Sequence, residues 1–251
     1  MEDTIRVLIG LGFGLLLVML RLDAERFGAA EFAEPALRWS LRGLWRRASW
    51  YVVGLALIVA VGLVHPSPGD LLLRLGDRGN VVMLGLVFVG LGSLQAFAAA
   101  LILYRRLRLP APWAYPIVLL NSTLTALIDE AAFRGILLAY LLGSGMGDVQ
   151  AIVIQGFVYA LSTRLGAPGR PFYLFLVFLV VGLVAGWSVI VTGGIGAAII
   201  GHAATRFVVF ISHGYAGDAG ASEGDATEGN GSATAPDRSA SPPGEGDSVT
   251  A

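Results

Sequence analysis

Long apolar runs separated by short polar breaks fill the chain as far as about residue 216. Seven such runs stand out. They cover Ile5–Leu20, Ser49–Val64, Val81–Tyr104, Ile117–Leu142, Val149–Thr163, Tyr173–Thr192 and Ile195–Ser212. Their apolar positions are continuous rather than alternating, which predicts helices and argues against barrel strands. Several approach the roughly 18 residues that suggest a membrane span. The expectation is an all-α, polytopic transmembrane helix bundle of about seven spans. The first and fifth runs are short, which points to tilt, an interfacial stretch or a longer end. The first is not read as a secretory signal, because acidic Met1-Glu2-Asp3-Thr4 precedes it and no clear small-x-small cleavage site follows.

The breaks between runs carry the orientation signal. Arg21, Arg26, Arg38, Arg42, Arg46 and Arg47 lie in the segment Arg21–Ala48. Arg105, Arg106 and Arg108 precede the fourth run, and Arg164 and Arg170 precede the sixth. The alternate breaks are poorer in net positive charge. Arginine enrichment on alternate sides places these three segments in the cytoplasm, the N-terminus outside and the C-terminal tail inside. A prokaryotic plasma membrane is the expected location. Segment Arg21–Ala48 reads equally as an interfacial amphipathic helix, with Trp39, Trp45 and Trp50 at the boundary, or as an ordinary basic loop with aromatic anchors.

From about Gly217 the composition switches to Gly, Ala, Ser, Asp, Glu, Thr and Pro, with Val249 the one large apolar residue. Such a stretch cannot bury a core and is expected to be disordered. The organisation read from these patterns has three parts. Residues 1–48 hold the first span and a basic segment, 49–216 the helical core, and 217–251 an acidic tail.

Composition narrows the chemistry. Of 251 residues, 55% are hydrophobic and 14% charged, well under the roughly 25% usual for soluble domains. All 17 basic residues are arginine, so no lysine nucleophile or phosphate-loop lysine exists. With no cysteine, disulfides, thiol catalysis and cysteine-ligated metals are excluded. The net charge of −1 conceals a division. Seven acids and one arginine from Gly217 onward give the tail −6, which leaves +5 on the membrane body. No nucleic-acid partner is expected; the partners implied are the lipid bilayer and a membrane-bound or lipidated peptide.

Charges deep in a span are costly, about 2.5–3.5 kcal/mol each at mid-helix, and tend to be paired and functional. Four stand deep: Asp129, Glu130, Arg134 and Arg206. Arg6 lies at a span end and can snorkel. Glu130 and Arg134 are four apart with the acid first, the favourable order for a helix ion pair. Asp129 points about 100° away, so it can serve as a general base while Glu130 is held. The plain alternative is a salt-bridged patch that holds the bundle together. His202 and Arg206 share a face of the last run, at a depth similar to that of the acids if the two helices are antiparallel. Gln155, Tyr159 and Thr163 form a polar stripe on the fifth run, for which helix–helix hydrogen bonding is the favoured explanation. Gly10–Gly14 and Gly182–Gly186 are small-xxx-small pairs suited to close helix packing. Zinc is poorly supported, although His202, Asp129 and Glu130 offer three ligands. His213 lies about 16 Å further along the helix, His65 falls in a loop, and no His-Glu-x-x-His motif exists. No cofactor is required by the sequence.

The stretch Ile128-Asp129-Glu130-Ala131-Ala132-Phe133-Arg134-Gly135 resembles the first motif, Glu-Glu-x-x-x-Arg, of the CPBP family, the CAAX protease and bacteriocin-processing (Abi) proteins. Tyr159–Thr163 occupies the place of the family's second motif, aromatic-x-x-x-His. His202–Arg206 occupies that of the third, His-x-x-x-Asn or Asp. The resemblance covers about Ile117–Ser212. It implies an intramembrane endopeptidase with Asp129 as base, His202 as oxyanion donor and Glu130 with Arg134 in support. Three positions depart from the family pattern: Asp129 replaces Glu, Thr163 replaces His and Arg206 replaces Asn or Asp. Asp is a methylene shorter, and misplacing a water by about 1 Å can cost ~100-fold. Thr163 hydrogen-bonds water but is no base near neutral pH. Arg206 either donates to an oxyanion or clamps Asp129 and makes it a poor base. A catalytically impaired relative acting as a membrane scaffold or immunity-type protein is the second expectation. A transporter is third, disfavoured by the few spans and the lack of an inverted repeat.

Overall fold

The computed structural model describes residues 2–29, 41–105, 115–166 and 172–213. The chain divides into two units, Met1–Gly217 and Asp218–Ala251. The acidic tail lies outside the described residues, as do Arg38, Trp39, Arg106, Arg108 and Arg170.

Every described element is helical. They are α1 (Glu2–Leu22), α2 (Leu41–Val64), α3 (Arg78–Tyr104), α4 (Tyr115–Glu130), α5 (Leu138–Gly143), α6 (Asp148–Gly166), α7 (Tyr173–Thr192) and α8 (Gly196–His213). A π-helical segment, Ala131–Leu137, joins α4 to α5, so the two form one rod with a wider turn inside it. Seven rods therefore occupy the seven apolar runs. Four helices, α1, α2, α3 and α7, are long and apolar enough to cross a membrane. The α8 helix is apolar but shorter. The remaining rods carry most of the buried polar residues, among them Asp129, Glu130, Arg134 and Gln155. Leu15, Met19, Leu91, Ile102, Leu176 and Val180 are exposed. Water would penalise so much exposed apolar surface, whereas acyl chains accept it. The protein is an integral membrane helix bundle.

Small residues govern how closely the helices approach. At the α6–α7 crossing, a Cβ on Gly182 would lie 2.9 Å from the Gly156 Cα, so backbone meets backbone. Gly10 of α1 faces the Tyr140 hydroxyl, and Gly14 faces Ile136. Both small-xxx-small pairs thus sit in close contacts, as dispersion-driven packing in lipid favours.

Of the two readings of the basic segment, helix or loop, its end is helical. Leu41–Ala48 is the start of α2 itself. Trp50, expected at the membrane boundary, is buried, and its Nε1 donates to the Leu20 carbonyl at 3.0 Å. Arg21 and Arg47 turn into the bundle, so they are not loop charges. Arg6 does not simply reach outward; its Nε donates to the Val64 carbonyl at 3.0 Å, satisfying an orphan acceptor at the end of α2.

The connection from α2 to α3 folds back onto the bundle. Leu72 N–H donates to the Gly135 carbonyl in the π-helical segment at 3.1 Å. Asp77 N–H donates to the Thr192 carbonyl at 2.8 Å. The carbonyls of Arg74 and Leu75 accept from Ile195 and Gly196 at 2.9 and 3.1 Å. Gly76, at φ +92°, passes so close to Thr192 that a Cβ would lie 2.6 Å from its carbonyl oxygen. A left-handed turn with no room for a side chain requires glycine there.

Replacing Gly182 with leucine should lower thermal stability in detergent by about 1–3 kcal/mol, the range for overpacking. Gly12→Leu, where a Cβ meets nothing within 4 Å, should change it far less. Equal melting temperatures for the two variants would refute the tight crossing.

Candidate active site

The site is built at the junction of α4 with the π-helical segment. Asp129 and Glu130 close α4, and Arg134 lies inside the π-helical segment. All three are at most 1% exposed. In apolar surroundings such charges must satisfy one another.

Glu130 is held from two sides. Its Oε1 accepts from Arg134 Nη1 at 3.3 Å and lies 2.7 Å from His202 Nδ1 on α8. The expected ion pair at i, i+4 is present, and the structure brings His202 to the same oxygen. The other oxygen, Oε2, is buried and makes no hydrogen bond. With Nδ1 carrying the proton toward Glu130, the imidazole is fixed in tautomer and orientation.

Asp129 belongs to a second cluster. Arg21 Nε of α1 lies 3.4 Å from Asp129 Oδ2, and the side chains are 5% and 1% exposed. Neither carboxylate oxygen accepts a hydrogen bond, so the contact is an ion pair with room for another donor. Arg206 donates through Nη2 to the Ala29 carbonyl at 3.3 Å. Residue spacing gave no access to the Arg21 contact, because Arg21 follows an apolar run directly and reads as the first charge of a loop. Tyr51 of α2 completes this cluster. Its hydroxyl bonds Asn121 Oδ1 and stands 3.3 Å from Thr125 Oγ1, one turn before Asp129.

The polar stripe on α6 faces inward. Gln155, Tyr159 and Thr163 are 0%, 1% and 4% exposed. Tyr159 lies under Arg134, whose guanidinium carbon is 4.0 Å from the ring centroid. Phe133 and Phe178 meet the same ring edge-on, with centroids 5.2 and 6.3 Å away. Cation–π attraction and ring packing thus position the arginine that holds Glu130. Neither Thr163 Oγ1 nor the Gln155 amide makes a hydrogen bond among the described residues. Thr163 therefore offers a buried polar atom but no base.

Among the described residues, no three His, Asp or Glu side chains gather as a metal site would require. Zinc ligation by His202, Asp129 and Glu130 is correspondingly unsupported by their arrangement. His65 is engaged locally, its Nδ1 lying 2.8 Å from the Ser67 carbonyl.

Compared with known families, residues 111–208 match the model described as Rce1-like, type II CAAX prenyl endopeptidase. The match spans all three motif positions and is consistent with the CAAX protease family. No curated protein and no solved structure matches the chain.

Arg134→Met should destabilise the protein by about 3–5 kcal/mol, because it strands a buried carboxylate. Adding Glu130→Gln should recover part of that loss. Thermal unfolding of the two single variants and the double variant measures the coupling; strict additivity would show that the pair is not energetically linked.

Proposed function

We propose, starting from the Rce1-like match of residues 111–208, that this protein is an intramembrane endopeptidase acting on a membrane-associated or lipidated protein. The observation that carries the reading is the 2.7 Å contact of His202 Nδ1 with Glu130, beside the second buried carboxylate. A buried acid next to an imidazole oriented by another acid suits hydrolysis of an amide.

In this reading Asp129 accepts a proton from water as the water attacks the scissile carbonyl. Its two oxygens make no hydrogen bonds, and Arg21 Nε lies 3.4 Å from Oδ2. His202 presents Nε2 to the carbonyl oxygen, and as imidazolium it donates to the developing oxyanion. Glu130 stabilises that imidazolium through Nδ1, as a carboxylate does in hydrolytic triads. Arg134 holds Glu130, and Tyr159 holds Arg134. Thr163 serves as a hydrogen-bonding partner for the water. Arg206 is anchored on the Ala29 carbonyl. The tetrahedral intermediate then collapses, and the leaving amine takes the proton held by Asp129.

The second reading, an impaired relative that binds a membrane partner, is favoured by one observation. Thr163 is a buried, unbonded hydroxyl where a base would stand. The plasma membrane, with the N-terminus outside and the tail in the cytoplasm, remains the location proposed from the arginine distribution. The division of the chain at residues 48 and 216 is proposed on composition.

Cleavage of prenylated and unmodified membrane peptides by reconstituted protein tests the first reading. Asp129→Asn, Glu130→Ala and His202→Ala should each reduce kcat/KM by at least 100-fold, the scale of a lost acid–base or oxyanion group. A chelator should leave the rate unchanged. Thr163→His should raise a low wild-type rate. If Glu130→Ala and His202→Ala cleave like wild type, the assignment is wrong; robust cleavage by wild type dismisses the impaired relative.

A further inference from the structure

We infer that the α1–α2 pair completes the reaction centre, and that Arg21 is a positioning residue that aims the carboxylate of Asp129. The inference rests on the reading of Asp129 as the base. Both helices lie outside residues 111–208, the stretch that carries the family match.

The two helices hold one face of α4. Asn121, Thr125 and Asp129 follow one another at intervals of four, so they form a single stripe on that helix. Tyr51 of α2 takes the first two positions. Its hydroxyl bonds Asn121 Oδ1 and stands 3.3 Å from Thr125 Oγ1. Arg21 of α1 takes the third, with Nε 3.4 Å from Asp129 Oδ2. A direct tie joins the two grips. Trp50, next to Tyr51, donates from Nε1 to the carbonyl of Leu20, next to Arg21, at 3.0 Å.

The end of α6 also bears on the backbone that carries Arg21. A Cβ on Gly166 would lie 3.0 Å from the Leu22 carbonyl oxygen and 3.4 Å from that of Arg21. Main chain thus abuts main chain, and a side chain at 166 would press on Arg21. The pair itself is sealed, with Arg21 5% and Asp129 1% exposed. Charges so placed are screened little by water and constrain each other strongly. With Oδ2 directed at Arg21, Oδ1 is the oxygen turned to accept a proton from water. Apolar side chains would seat α1 against α4 at lower cost than a buried ion pair. The charge at position 21 therefore answers the charge at 129, and acts on the reaction through it.

Full-length protein in phosphatidylcholine vesicles, with a prenylated membrane peptide as substrate, provides the test. Arg21→Gln should lower kcat roughly tenfold to 100-fold, the scale for a catalytic group misplaced by about 1 Å, and leave KM within about twofold. Arg21→Lys should recover part of kcat, because a cation stays within reach. Trp50→Phe and Gly166→Ala, which disturb the backbone under Arg21, should lower kcat by less. A merely structural role would lower the melting temperature and leave kcat per folded molecule as in wild type; that result overturns the proposal, and so does a loss confined to KM. If Asp129→Asn impairs cleavage while Arg21→Gln matches wild type, the role of Arg21 falls and the peptidase reading stands. If wild type cleaves nothing, the peptidase reading falls, and thermal unfolding of Arg21→Gln, Asp129→Asn and the double variant decides the grip. Melting shifts that add overturn it, and a double variant no less stable than the weaker single supports it. If Arg21→Gln does not fold, Arg21→Lys and Trp50→Phe carry the same comparison of kcat with KM.

Discussion

One carboxylate oxygen organises the centre of this protein. Glu130 Oε1 is shared by Arg134 from its own rod and His202 from α8. An ionised acid in a bundle of apolar helices is tolerable only with such partners, and the need dictates what surrounds it. Arg134 must lie beside the acid, so its ring support from Tyr159 follows. His202 must come to the same depth, so α8 must pack against α4. Gly85, Gly92 and Gly201 let α3 and α8 interlock around Ile200, Thr205 and Phe88, which seats α8 where His202 can reach. Packing, charge compensation and imidazole orientation are one requirement seen at three scales.

Much of this was legible from residue order. Continuous apolar runs locate all seven rods, because a backbone in lipid must bond to itself. The pairing of Glu130 with Arg134 follows from helical spacing, and the match of 111–208 to a CAAX endopeptidase family agrees with the motifs at Asp129, Tyr159 and His202. The clamp on Asp129 was not legible. Spacing along one helix says nothing about which other helix arrives, and Arg21 looks like a loop charge until α1 is laid against α4. Arg47 and Trp50 mislead for the same reason: the start of α2 is polar in sequence and mostly exposed, yet these two residues turn inward.

The π-helical segment was likewise hidden. Its wide turn begins directly after Glu130, and the Leu138 amide reaches back five residues to the Phe133 carbonyl. Such turns occur frequently at functional sites. Nothing in Ala131-Ala132-Phe133-Arg134-Gly135-Ile136-Leu137 distinguishes it from α-helix. Tertiary contacts supply the difference, with the Gly135 carbonyl taken up by Leu72 from another part of the chain.

The return of residues 71–77 onto the bundle has a consequence for how this protein would respond to change. Its attachments run through main-chain amides and carbonyls, from Leu72 to Gly135 and from Arg74, Leu75 and Asp77 to the turn at 192–196. Main-chain bonds are indifferent to side-chain identity. Side chains add to these bonds at Leu71, which is buried in the core, and at Leu73, which packs against it, whereas Leu75 is exposed. Proline, or one inserted residue, would shift the donors out of step with their acceptors. The segment is thus a part of the molecule whose length and backbone course matter as much as its buried side chains, and insertion or deletion reads the former directly.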